Sequence, residues 1–145
     1  MNKEFFEALN MLEKETSCKC YACNDANMAA WGIYEHEFKK KYKNFIVITL
    51  GTGVGGGIIL DGKLFQGAGG SAGELGHIKV DYSKTAAKCG CGHKGCLEAY
   101  IGTKGLKRQM QEAAKKEPKS ILAKLLKEEK FSIKLLSDAA SKGDK

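Results

Sequence analysis

The stretch Lys88-Cys89-Gly90-Cys91-Gly92-His93-Lys94-Gly95-Cys96-Leu97-Glu98 constrains this chain more than any other. Three cysteines fall within eight residues, spaced by glycines, and His77 lies twelve positions before the first of them. Three thiolates and one imidazole are a donor set for a four-ligand tetrahedral zinc site. Glu74 and Glu98 flank these donors, so closing a metal site would hold two carboxylates near one another. His93, inside the loop, is a competitor of His77 for the fourth position.

Around this loop the pattern alternates between helix and strand. Phe5, Phe6, Leu9 and Leu12 recur at helical spacing and predict a helix over 3–14. Cys18 to Cys23 reads as a short strand. Asn24 or Asp25 then caps a helix running through Trp31, whose place is on the apolar face, toward Phe38. Phe45-Ile46-Val47-Ile48-Thr49-Leu50 is a continuous β-branched and apolar run, predicting a strand buried on both faces. A second strand is predicted at Gly57–Leu60, turned by Asp61-Gly62 into Lys63-Leu64-Phe65. His77–Val80 predicts one more short strand. Helices follow at about 97–101, 103–116, 118–129 and 132–141, with Pro118 suited to the first turn of the third. Residues 1–38 and 44–145 are expected to belong to two different lobes.

Composition narrows the class. At 43% apolar and 28% charged residues over 145 positions, the chain is long and apolar enough for a sizeable core. No apolar run is long enough to span a bilayer, and Met1–Glu7 lacks a secretory core, so no membrane partner is expected and a cytoplasmic address is the default. Six cysteines in a reducing compartment read as metal ligands or buried thiols. Cys18, Cys20 and Cys23 are expected to be buried thiols, a second metal site being the alternative. The net charge of +7 invites a nucleic-acid reading, but the lysines interleave with glutamates, as on a solvated face, and no nucleic acid is expected.

Gly51-Thr52-Gly53-Val54-Gly55-Gly56-Gly57 fits the glycine pattern of a dinucleotide loop, yet it opens a strand instead of a helix, and no Gly-Lys-Ser/Thr follows. What remains is a tight turn whose glycines allow positive φ and expose backbone N–H groups, a nest able to cradle phosphate with the Thr52 hydroxyl as a further donor. An ordinary glycine-rich hairpin is the other reading.

Asn24-Asp25-Ala26-Asn27, the Gly51–Gly57 loop, Gly73-Glu74-Leu75-Gly76-His77 and Cys-x-Cys-Gly-x-x-Gly-Cys-Leu-Glu stand in one ordered series. Together they resemble the ROK family of bacterial sugar kinases and related repressors, glucokinase-like members above all. The resemblance implies an α/β fold of the actin/hexokinase, ribonuclease H-like type, present here in part and carrying a zinc-binding loop. It implies Asp25 as the general base toward the sugar 6-hydroxyl, and Asn24, Glu74, His77 and Glu98 as sugar ligands. Thr52 and Gly53 would contact the phosphates of ATP accompanied by Mg²⁺, and His77, Cys89, Cys91 and Cys96 would bind structural zinc. A hexose and ATP are the implied partners, with a homo-oligomer in the full-length protein. A carboxylate at a helix N-terminus stays ionised, which suits Asp25 as a proton acceptor; a plain helix cap is the other reading of that residue.

The resemblance is expected to run from about Cys18 to Lys145, the central and C-terminal-proximal segment of such a kinase. The aspartate-glycine hairpin that opens full members and the glycine-rich adenosine loop that ends them are not in this series. The expectation is therefore a fragment or truncated product, inactive or nearly so by itself. Cys23 stands where the family carries glutamate. A sugar-responsive repressor and a zinc-stabilised sugar-binding module without catalysis are the competing readings. Apolar strand edges predict self-association, which light scattering on the concentrated chain would detect; a clean monomer contradicts it.

Overall fold

The computed structural model describes residues 3–129 and 131–144. Met1, Asn2, Lys130 and Lys145, which fall within the expected segments 1–38 and 44–145, lie outside the described residues. In chain order the elements are α1 (Lys3–Thr16), α2 (Asp25–Gly32), β1 (Phe45–Leu50), β2 (Val54–Leu60), β3 (Lys63–Leu64), α3 (Glu98–Ile101), α4 (Thr103–Lys116), α5 (Ile121–Glu128) and α6 (Lys134–Ser141). A π-helical turn, Ile33–Glu37, prolongs α2, and a single 3-10 turn, Leu75–His77, precedes the cysteine loop.

The three strands form an antiparallel sheet in the order β1-β2-β3, with Val47 opposite Gly57 and Leu50 opposite Val54. Asp61 and Gly62 both take positive φ, 50° and 72°, as a two-residue hairpin turn requires. Helix α2 covers one face of the sheet. Ala30, Tyr34 and Ile59 are buried there, with Trp31, Phe45, Val47 and Leu64 packed against them. A Cβ on Gly55 would lie 2.8 Å from the Ala26 Cβ, and one on Gly57 would lie 2.7 Å from the Ala26 carbonyl oxygen and overlap Ala30. The strand is bare of side chains where the helix touches it, so the two backbones approach closely.

Two further cores are separate from this one. Met110, Leu125, Leu135 and Ala139 unite α4, α5 and α6. Cys89, Cys96 and Ala99 form the third, beneath the cysteine loop. Ser120 caps α5 by accepting the Ala123 N–H at 3.0 Å, and the Asp144 carboxylate takes the Leu122 N–H at 2.7 Å, so the chain's last turn closes back on that helix.

Several expectations are corrected. β1 is buried on one face only: Ile46, Ile48 and Leu50 are 58%, 54% and 66% exposed, because α2 supplies a layer on one side and among the described residues none covers the other. Residues 18–24 form no strand, and Cys18 and Cys23 are exposed, not buried thiols. This segment is tied back to α1 through the Cys20 N–H donated to Glu13 Oε1 at 2.9 Å. His77–Val80 is likewise no strand beyond one bridge from Lys79 to Cys96. Pro118 precedes α5 instead of entering it, since Ser120 takes the capping position. In the Gly51–Gly57 loop no glycine adopts positive φ; close approach is what excludes side chains at Gly53, Gly55, Gly56 and Gly57.

Gly57→Ala is expected to cost about 1–3 kcal/mol of folding free energy through overpacking against α2. Gly51→Ala, where an added Cβ meets nothing within 4 Å, should stay within about 0.5 kcal/mol. Urea unfolding of the two variants measures the difference.

Candidate functional site

Helix α2 starts at the rim of a cleft. Asn24 is its N-cap, in extended conformation, and its Oδ1 accepts the Asn27 N–H at 3.0 Å. Asp25 is therefore the first helical residue and not the cap. Its Oδ1 accepts the adjacent Ala26 N–H at 2.8 Å, and among the described residues Oδ2 has no protein hydrogen bond. The carboxylate sits at the N-terminal end of the helix, at the rim of the cleft.

Across from Asp25 lies the β1–β2 turn, closed by the Gly51 N–H donated to the Gly53 carbonyl at 3.0 Å. Asn24, Asp25, Thr52, Gly53, Glu74 and Glu98 line one open cleft of about 420 Å³. Two segments distant in sequence from α2 supply its other carboxylates. The 71–75 turn carries Glu74, and α3 opens with Glu98. Glu98 is a tie as well as a lining group: Oε2 accepts the Val54 N–H at 3.0 Å, and Oε1 lies 3.7 Å from Cys89 Sγ. A side chain on Gly53 would overlap that carboxylate.

His77 stands behind the cleft wall. Its Nδ1 is 3.7 Å from Cys89 Sγ, and its Nε2 is 3.8 Å from Glu74 Oε2. One donor atom each from His77, Cys89, Cys91 and Cys96 lies within 4.8 Å of all the others, the spacing of a group that can hold a metal ion. Three thiols and an imidazole are soft and borderline donors, the kind that zinc takes in closed sites. His93 reaches Cys91 Sγ with Nδ1 at 3.5 Å but is not part of that four-residue group. Cys18, Cys20 and Cys23 do not converge with one another in a comparable cluster among the described residues.

The thiols differ sharply in acidity. Backbone and imidazole hydrogen bonds from His93, with the Cys89 thiol, hold Cys91 down at about 6. Burial pushes Cys89 up to about 11 and moves Cys96 in the same direction. A latch braces the loop: the Tyr100 hydroxyl donates to Asp81 and accepts the Ala87 N–H at 3.1 Å. That contact lowers the Asp81 carboxyl and raises the Tyr100 phenol. Arg108 leans over the Tyr100 ring and donates to the Ala99 carbonyl at 2.9 Å, so it braces α3 rather than facing the cleft.

Three comparisons bear on this geometry. The ROK family model matches residues 2–145. The chain belongs to the ROK family. The match corrects the expected start near Cys18 and the restriction to a central and C-terminal-proximal segment, since it takes in α1 and nearly every residue of the chain. A glucokinase of Halalkalibacterium halodurans is 39% identical over 139 residues, 96% of this chain and 41% of that protein. An N-acetylmannosamine kinase of Salmonella arizonae is 43% identical over 101 residues, 70% of this chain and 34% of that protein. The solved ROK glucokinase of Streptomyces griseus, in complex with glucose and AMPPNP, superposes with a TM-score of 0.76 at 38% identity, covering 94% of this chain and 44% of that one. A ROK transcriptional regulator, a homolog of the Escherichia coli MLC protein, superposes at 0.74 with 33% identity, covering 94% of this chain and 33% of that one. The fold is thus of the family's actin/hexokinase type, matched across nearly the whole chain and not over a part of it. The chain spans about two-fifths of the length of the Halalkalibacterium relative. Among the described residues no helix is long and apolar enough to cross a membrane.

Two residues of the site carried no assigned role in the sequence. Asn27 is buried in the Asn-Asp-Ala-Asn motif, and Tyr100 braces the cysteine loop. Asn27 had a signal, its place one helical turn past Asn24. Tyr100 had none, because its partners lie thirteen and nineteen residues upstream.

The depressed Cys91 thiol gives a measurable pH dependence. A folded-state value of about 6 against an ordinary 9.0 means that the thiolate's stabilising contribution is complete above about 9 and lost as pH falls through about 6. In the metal-free chain at pH 7.5, iodoacetamide should label Cys91 at least about tenfold faster than Cys89 or Cys96, slowing below pH 6. Peptide mapping reads each site, and equal labelling of the three would contradict the arrangement.

Proposed function

We propose that this chain serves ATP-dependent phosphorylation of a hexose, most simply glucose at its 6-hydroxyl. The observation that carries the reading is the convergence of Asn24, Asp25, Thr52, Gly53, Glu74 and Glu98 on one cleft. Phosphoryl transfer needs positioning, charge neutralisation and a base beside the nucleophile; the cleft offers polar groups for positioning and a carboxylate for the base, and neutralisation would fall to the Mg²⁺ that accompanies ATP. Asn24, Glu74 and the free lone pairs of Glu98 would hold sugar hydroxyls, with His77 orienting Glu74 from behind. Asp25, ionised at the start of α2, would take the 6-hydroxyl proton as that oxygen bonds to the γ-phosphorus and the bond to the β-phosphate oxygen breaks. Thr52 and Gly53 would meet the phosphates of ATP, the second substrate, with its Mg²⁺.

His77, Cys89, Cys91 and Cys96 fit zinc by chemistry and spacing. A closed four-ligand set leaves no open position, so the ion's part is structural. Its ligands would fix the walls that hold Glu74 and Glu98. Kinship to a ROK regulator supports a second reading, sugar sensing without transfer, and the presence of Asp25 in the cleft favours the kinase.

Calorimetry on the zinc-loaded chain should show saturable glucose binding, weakened about tenfold by Glu74→Gln. Glucose-dependent ADP release, slow for the chain alone, should fall at least about a hundredfold in Asp25→Asn with glucose affinity kept within about threefold. Binding without turnover would favour the sensing module, and no glucose binding would overturn the reading.

A further inference from the structure

Asn27 is 5% exposed, and its Oδ1 is, among the described residues, a fully buried side-chain oxygen without a hydrogen-bond partner. An unpaired acceptor in a low-dielectric site is costly, so its place needs a reason. The atom faces the 71–75 turn. A Cβ built on Gly73 would lie 3.0 Å from Asn27 Oδ1 and would overlap the Gly56 carbonyl oxygen, so only glycine lets this turn sit against α2 and β2 together. In the same turn the Glu74 N–H goes to Ser71 O at 3.1 Å and the Leu75 N–H to Gly73 O at 2.7 Å. Among the described residues the Gly73 N–H goes to no acceptor. The backbone of Gly73, whose N–H has no protein acceptor among the described residues, thus lies against the unpartnered Asn27 Oδ1, one residue before Glu74 and two after Asp25.

We propose that Asn27 is a positioning residue: its Oδ1 accepts the Gly73 N–H when the 71–75 turn settles on a bound sugar, and this bond sets Glu74 against Asp25. The inference rests on the sugar reading given above and adds a residue that reading does not use. Asn27 is suited to the part because its own N–H is already held by Asn24 Oδ1 at 3.0 Å. Asn27 would therefore join the capping residue that faces the cleft, through its backbone N–H, to the turn that carries the opposing carboxylate, through its side chain. Its rigid seat comes from β2, where a Cβ on Gly57 would stand 3.3 Å from Asn27 Cα.

The test is amide exchange by NMR on the zinc-loaded chain, with and without glucose. In the unsubstituted protein the Gly73 amide should exchange at least about tenfold more slowly at saturating glucose, the protection given by one formed hydrogen bond. In Asn27→Leu, close in volume and without the acceptor, that protection should vanish and glucose affinity fall about tenfold, while exchange across 121–141 stays unchanged. A bridging water in place of the Gly73 amide would leave that amide unprotected in the unsubstituted protein and overturns the proposal. So does equal protection in Asn27→Leu. If the chain binds no glucose, the sugar reading fails. The proposed bond, which needs the bound sugar, then falls with it, whereas glucose binding without protection at Gly73 removes the bond and leaves the sugar reading standing.

Discussion

Helix α2 can bring Asp25 to the lip of the β1–β2 turn because the strand beneath it has no side chains at the points of contact. Gly55 and Gly57 face Ala26 and Ala30, and small residues on both sides reduce the separation of helix and strand to backbone contact. A methyl group on either glycine would lift the helix N-terminus away from Thr52 and Gly53. Gly56 serves the opposite face, where Leu75 and the Gly73 carbonyl fill the space that its side chain would occupy. One run of three glycines therefore sets the distance from the sheet to both the carboxylate of α2 and the turn that bears Glu74. These glycines weaken the strand by the freedom they lose on folding, and the close packing they permit is what offsets it.

Glu98 connects this frame to the cysteine loop. With one oxygen on the Val54 amide and the other beside Cys89, it couples the glycine turn to the metal-ligating group through a single carboxylate. The Tyr100 hydroxyl, between Asp81 and the Ala87 amide, braces the same loop from below, two residues further along the chain. The site is thus a chain of short polar links between three segments that share little apolar contact. Its geometry depends on each link more than a site built on one continuous core would.

Much of this was legible in the sequence, for identifiable reasons. Strong local rules gave α4 over 103–116, the Asp61-Gly62 turn and β1, since periodicity, turn chemistry and β-branching each act over a few residues. The cysteine spacing brought His77, Cys89, Cys91 and Cys96 together on paper as they are in space. What the pattern could not carry was tertiary context. An apolar run such as Phe45–Leu50 reads alike whether one or two layers cover it, and here one does. Cys18 to Cys23 alternates like a strand but has no neighbour to pair with, so it stays irregular. The glycine loop suggested unusual dihedrals, whereas its glycines are there to admit Glu98, Ala30 and Leu75. Asn27 was visible in its motif, but its orphan oxygen depends on where Gly73 arrives from another part of the chain.

The three cores described above share no buried residue. Met110, Leu125, Leu135 and Ala139 hold α4–α6 together by themselves, and α4 meets the rest of the molecule chiefly through α3 and through Thr103, bonded to the Gly51 carbonyl. Such a partition makes for separate cooperative units with their own opening free energies. Sequence change within the C-terminal helices can then accumulate with little mechanical consequence for the cleft, whereas Gly53, Gly55, Gly56 and Gly57 have almost no freedom to vary. The two halves of one small chain are open to different rates of drift.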